Sequence, residues 1–210
     1  WPFCFMAAPT TTDLTNFLTT IGVTASGSAD LSALLTSATQ EFEEKTGRQK
    51  FEGDSSTTAI RYTLPMPTGK SIRLVIADCW AITEVRTFYS GSGTGTVLAE
   101  FDDYMARPYQ YAQLGRPVEA IDFVTLPSVQ PGSILITGKL GYASSMPKAV
   151  FEAILSRAAS QLLIQQAGES GTVAEEKQGD RSVKYSTDDT VSRLRGVFDR
   201  AVARYMKVIG

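Results

Sequence analysis

Histidine is absent from the 210 residues. That removes the side chain most used to move protons near neutral pH, and the commonest metal ligand. Cysteine is nearly absent. Cys4 and Cys79 stand far apart and fit neither a zinc site nor a CxxC redox pair. They read as two reduced thiols of a protein assembled in the cytosol. A strong net charge is also missing. The formal value is -2, so no global attraction to nucleic acid is implied, and a basic surface must come from local arrangement. The opening stretch WPFCFMAAPTTTDL has no basic residue, and its apolar run is too short to span a bilayer. It is expected to be neither a signal peptide nor a membrane anchor. Trp1, Phe3 and Phe5 in it would be costly in water, so this arm is expected to dock on something.

What is present can build a core. Hydrophobic residues make up 43% and charged residues 20%, which argues against disorder. The length suits one domain of ordinary size, or a small domain carrying an insertion.

The chain divides by its hydrophobic period. Asp13 is a candidate cap for a short helix through Leu18, ending near Gly22. Ser28 and Asp30 precede a second helix, in which Leu31, Leu34, Leu35, Ala38 and Phe42 follow the spacing of one buried face. Thr46-Gly47-Arg48 stops it. The middle, 51–138, alternates with a period of two. Ile60, Tyr62 and Leu64, then Ile72, Leu74 and Ile76, then Val97, Ala99 and Phe101 mark strands, as do Ile121 and Phe123, and Ile134 and Ile136. Pro65, Pro67 and Gly69 mark a turn. Helical spacing then returns. Pro147 suits a first helical turn, and Val150, Ile154, Leu155, Ala158 and Leu162 form a stripe, with Ala149, Ala153 and Ala159 favouring close packing. A polar link with Gly168, Gly171 and Gly179 follows. Ser186, Asp188 and Asp189 cap a last helix whose buried face is Val191, Leu194, Phe198, Ala201, Val202 and Tyr205. The expected fold is α+β: a helical body from both termini with an inserted antiparallel β domain. The expected divisions are an arm at 1–11, the body at 12–50 and 139–168, the β insertion at 51–138, and a C-terminal arm and helix at 169–210.

Motifs with catalytic chemistry are scarce. Gly91-Ser92-Gly93-Thr94-Gly95 has the glycines of a phosphate cradle, but a strand-like Thr96-Val97-Leu98 follows where a helix N-terminus is needed. A hairpin loop accounts for it. The carboxylate pairs Glu43-Glu44, Asp102-Asp103, Glu175-Glu176 and Asp188-Asp189 are sequence neighbours that point different ways, and none has a partner base or nucleophile in evidence. No catalytic, cofactor-binding or metal-binding residue is assigned. Two features point instead to docking. Arg193, Arg200, Arg204 and Lys207 fall in a narrow band of the last helix, set apart from its apolar stripe. That is a solvated face, a docking surface, or the lining of a channel for DNA. The segment 176–186, with Asp180, Val183 and Tyr185, reads either as a plain linker or as an exposed extended strand fit for strand addition to a neighbour.

Four segments carry a resemblance. The helix from Leu31 ends in Thr46-Gly47-Arg48. Asp103-Tyr104 is followed by Pro108 and by Gly115-Arg116-Pro117-Val118. Gly138-Lys139-Leu140-Gly141-Tyr142 leads into Met146-Pro147-Lys148-Ala149-Val150. Gly179-Asp180-Arg181-Ser182-Val183-Lys184-Tyr185 precedes the last helix. In this order they resemble the head-to-tail adaptor proteins (head-completion or connector proteins) of tailed bacteriophages. Leu140 departs from the pattern, since tryptophan is common there. The resemblance implies a non-enzymatic structural protein of the virion neck, assembled in the host cytoplasm, with no cofactor and no membrane. It implies a ring of identical subunits, a dodecamer in the usual case, bound to the portal protein on one side and to a tail or nozzle protein on the other. DNA would pass through the hole with non-specific contacts. The stretch 169–210 would face the portal, with Asp180, Val183 and Tyr185 in its extended part. Alternatives are another neck or tail-completion ring, a nucleotide-binding enzyme using 91–95, and a DNA-binding module using the last helix. Cross-linking within particles, a nucleotide-induced thermal shift and sequence-selective duplex binding would separate them.

Overall fold

The computed structural model is described over residues 5–25, 29–64, 72–88, 93–124, 133–170, 177–178, 181–182 and 187–207. Its elements are, in order, β1 (Phe5–Met6), α1 (Thr11–Thr20), α2 (Leu31–Thr46), β2 (Thr58–Tyr62), β3 (Ile72–Thr87), β4 (Thr96–Leu98), β5 (Tyr104–Arg107), α3 (Tyr111–Leu114), β6 (Val118–Phe123), β7 (Ile134–Leu140), β8 (Met146–Pro147), α4 (Lys148–Ser170), β9 (Lys177–Gln178), β10 (Arg181–Ser182) and α5 (Thr187–Tyr205). The fold is α+β, as expected. It divides into a β unit, 1–5 with 48–146, and a helical unit, 6–47 with 147–210.

In the helical unit, local chemistry sets the helix ends. Thr10, not Asp13, caps α1. The Thr10 hydroxyl accepts from the Asp13 N–H while the Asp13 carboxylate accepts from the Thr10 N–H at 2.9 Å, a reciprocal capping box. Those bonds to Thr10 hold the Asp13 carboxyl below the usual range. Asp30 caps α2, accepting from Ala33, and Gly47 ends it in the left-handed region at φ 68°. The α2 spacing places Leu34, Leu35, Ala38 and Phe42 inside. In α4, burial extends around much of the helix between Val150 and Leu162, because α1, α2 and α5 all pack on it. The alanines at 153, 158 and 159 allow that close approach.

α5 contributes Val191, Leu194, Phe198, Ala201, Val202 and Tyr205 to the same core. Phe198 meets Phe42 of α2 edge-on at 5.4 Å. Lys45 and Arg157 each lie over its ring, and Glu41 bridges those two cations at 2.9 and 2.6 Å. Three helices are therefore tied around one aromatic ring. The last helix is part of the helical unit's core, and the division places it with 147–210 and not with a separate part beginning at 169.

The β unit is one six-stranded antiparallel sheet in the order β2-β7-β3-β6-β5, with β4 also on β3. β3 is its spine. Its first half pairs with β6 and its second with β7, with register shifts between Val75 and Cys79, between Cys79 and Ala81, and between Ile82 and Glu84. These irregularities change which face is buried. Ile72, Leu74 and Ile76 point inward before them, Val85 and Thr87 after them. Phe123, Ile121, Tyr104 and Ile134 complete that core. The unit also takes in 48–50 and 139–146, beyond the expected limits of 51 and 138. Hydrogen bonds hold its two ends together: Tyr142 N–H to Lys50 O at 3.0 Å, and Gly53 N–H to Ala143 O at 2.7 Å.

Candidate functional site

Among the described residues, charge or backbone strain gathers at α5, at a buried arginine and at the turn from β4 to β5, among other places. The first is α5. At about 100° per residue, Arg193, Arg200 and Arg204 lie opposite the buried stripe, and all three are exposed. Lys207 is half-buried just past the helix, its N–H donating to Thr46 O at 2.8 Å. Among the described residues no carboxylate is in ion-pair range of Arg193 or Arg200. Arg193, Arg200 and Arg204 are thus exposed to solvent, with the Arg204 guanidinium 5.7 Å from the ring centroid of Tyr205. Gly196 and Ala203 lie beside Arg200, so the surface next to its guanidinium is low.

The second is a buried charge cluster that sequence reasoning missed. Arg48 is 7% exposed. It donates to Asp78 at 2.8 Å and to Glu119 at 2.7 Å, and its guanidinium lies 4.8 Å from the Tyr142 ring centroid. Phe51 stacks on the other partner of this contact, Tyr142, at 5.5 Å. Burial disfavours the charged guanidinium, but the two carboxylates outweigh it and raise its pKa. Asp78 was the available signal. It is the one acidic residue in the apolar run Leu74-Val75-Ile76-Ala77-Asp78-Cys79-Trp80-Ala81-Ile82, and a polar group buried there needs a partner.

The third is the turn from β4 to β5. The alternation Val97, Ala99, Phe101 pointed to one strand, but β4 stops at Leu98. The Asp103 carboxylate captures the Ala99 N–H at 2.8 Å and its own N–H donates to Ala99 O at 2.9 Å, which closes a turn instead. Leu98 then packs on the core, and Val97 is exposed. Phe101 stands at the turn's apex with φ 76°, a strained region for a residue with a Cβ, and is 71% exposed. Glu100, Asp102 and Asp103 surround it. Tyr104, the next residue, is buried, and desolvation, aided by the Glu100 charge, pushes its phenol up to about 12.

Other candidates gather less. β3 and β4 pair antiparallel, and Gly95 at φ 61° leads into the strand β4, not into a helix. Cys79 is buried in the sheet core, and burial pushes its thiol pKa up. No group of three or more metal-ligating side chains occurs among the described residues. No described helix is long and apolar enough to cross a membrane. β9 and β10 pair with each other, Arg181 opposite Gln178. Asp180, Val183 and Tyr185 lie outside the described residues, as do Cys4, Gly91 and Ser186.

No family model matches this chain, and no curated protein matches it.

Proposed function

We propose that this chain is a structural protein of tailed-phage particles, the subunit of an adaptor ring between portal and tail, with DNA passing through the ring. The supporting observation is a convergence. Two of the four segments that carry the resemblance meet at one place, Arg48 from the Thr-Gly-Arg stop and Tyr142 from the Gly-Tyr motif, and Glu119, the residue after Gly115-Arg116-Pro117-Val118, joins them. Segments so distant in sequence gain from recurring together when they build one contact set. A buried arginine between two carboxylates fixes that set, because any other pairing would strand a charge.

Ring formation needs two unlike surfaces on each subunit, which close head to tail. Each contact need be only moderate, because many form at once. The exposed basic face of α5 is a docking surface in this reading. No covalent step is assigned to any residue.

The test is cross-linking within purified particles, followed by peptide identification. Links to the portal protein are expected. Links only to tail-tube protein would indicate a tail-completion ring instead. Absence of the chain from particles would refute the proposal.

A further inference from the structure

The acidic turn and the basic helix face are opposite in charge, and both are carried by every copy of the chain. The turn carries the half-buried Glu100 and the exposed Asp102 on either side of Phe101 in sequence, with Val124 also exposed and its N–H bonded to Asp103 O at 2.9 Å. The α5 face offers Arg193, Arg200 and Arg204 beside the low surface at Gly196 and Ala203. An arginine beside a shallow surface is a good seat for an aromatic ring, by cation–π attraction combined with apolar contact. The turn is rigid: Asp103 holds Ala99 from within, and the Phe101 N–H donates to Tyr104 O at 2.7 Å. A strained, exposed aromatic on a rigid support is what a contact residue needs, because little freedom is lost on binding.

We infer that Phe101, with Glu100 and Asp102, docks on the Arg193, Arg200 and Arg204 face of α5 in a second copy of this chain. The inference rests on the ring reading only in placing one copy beside another. It names which two surfaces make the contact. They are unlike, so one such contact leaves a turn and a helix face unused, to which further copies can add.

Charge reversal tests this with the full chain. One variant carries Glu100→Lys and Asp102→Lys; another carries Arg200→Glu and Arg204→Glu. Native mass spectrometry at low ionic strength and the highest soluble concentration reads self-association. Wild type is expected to form oligomers that added salt weakens. Each variant alone should weaken association by about tenfold or more. An equimolar mixture of the two should restore it, because each reversed turn then meets a reversed helix. A chain carrying all four changes should also associate. Phe101→Gly separates contact from folding: glycine relieves the positive φ, so thermal stability should hold or rise while association falls. The inference is overturned if wild type stays monomeric, if either reversed variant associates as wild type does, or if the mixture does not recover. DNA or portal as the true occupant of the α5 face would appear as reversed variants that self-associate normally but lose DNA or portal binding. The adaptor reading fails separately, by absence of the chain from particles, whatever the association data show.

Discussion

In the helical unit the buried residues sit where a 3.6-residue period puts them; in the β unit the buried face of the longest strand changes partway along. Leu34, Leu35, Ala38 and Phe42 of α2, and Leu194, Phe198 and Tyr205 of α5, follow one spacing throughout. In β3 the inward set runs Ile72, Leu74, Ile76 and then Val85, Thr87. The charges differ too. Helical-unit cations lie on the outside of an aromatic contact, over Phe198, with Glu41 half-buried between them. The β unit encloses its ion cluster, with Arg48 and Asp78 both buried. One unit is therefore held by apolar packing with a charged margin. The other combines an apolar core with a buried charge that also selects the pairing of its ends.

Removing 188–210 tests the first half of that contrast and has the largest expected effect. The truncated chain should lose the cooperative unfolding of the helical unit, seen as a large drop in far-ultraviolet helicity. A truncated chain with wild-type melting would show α5 to be an appendage. Phe198→Ala is the narrower version. Losing a fully buried ring shared by three helices should cost about 3–5 kcal/mol in denaturant unfolding.

The buried cluster sharpens the second half. Arg48→Met should destabilise by about 3 kcal/mol, because it leaves Asp78 buried without its cation. Adding Asp78→Asn to Arg48→Met should recover part of the loss, since the stranded charge is gone. Equal losses in single and double variants would mean that the cluster contributes only volume.

Glu41→Gln has the smallest expected effect, about 1 kcal/mol at neutral pH. Burial works against the Glu41 carboxylate, but bonds from Arg157 and Lys45 outweigh it and hold the carboxyl below its usual value near 4.5. A lowered folded-state pKa gives stability that is present above the unfolded value and is lost as pH falls through the folded one. The gap between wild type and Glu41→Gln should therefore be constant at neutral pH and close below about pH 4. A gap that persists unchanged at pH 2 would contradict this.

The sequence made the helical unit largely legible. Periodicity identified the α2, α4 and α5 faces, and Asp30 and Gly47 marked the ends of α2, because caps and stripes are local signals. Thr10 was missed as the α1 cap because Asp13, its reciprocal partner, is the stronger cap residue in isolation. The β unit was less legible. Strand bulges in β3 depend on what pairs with each half, and nothing local in Val75-Ile76-Ala77-Asp78-Cys79 announces them. Alternation points to Phe101 in a strand, and one short carboxylate, Asp103, bonds the nearby backbone and overrides that pattern. At the candidate surfaces, Arg193, Arg200 and Arg204 were found from angular spacing alone, whereas Arg48, Asp78 and Glu119 come together only through the fold.

Side-chain imaging of the intact particle at the portal–tail junction tests the central claim most directly. The account predicts a closed ring of this chain touching the portal on one side. A junction formed entirely by other proteins, or a single copy of this chain there, would contradict it.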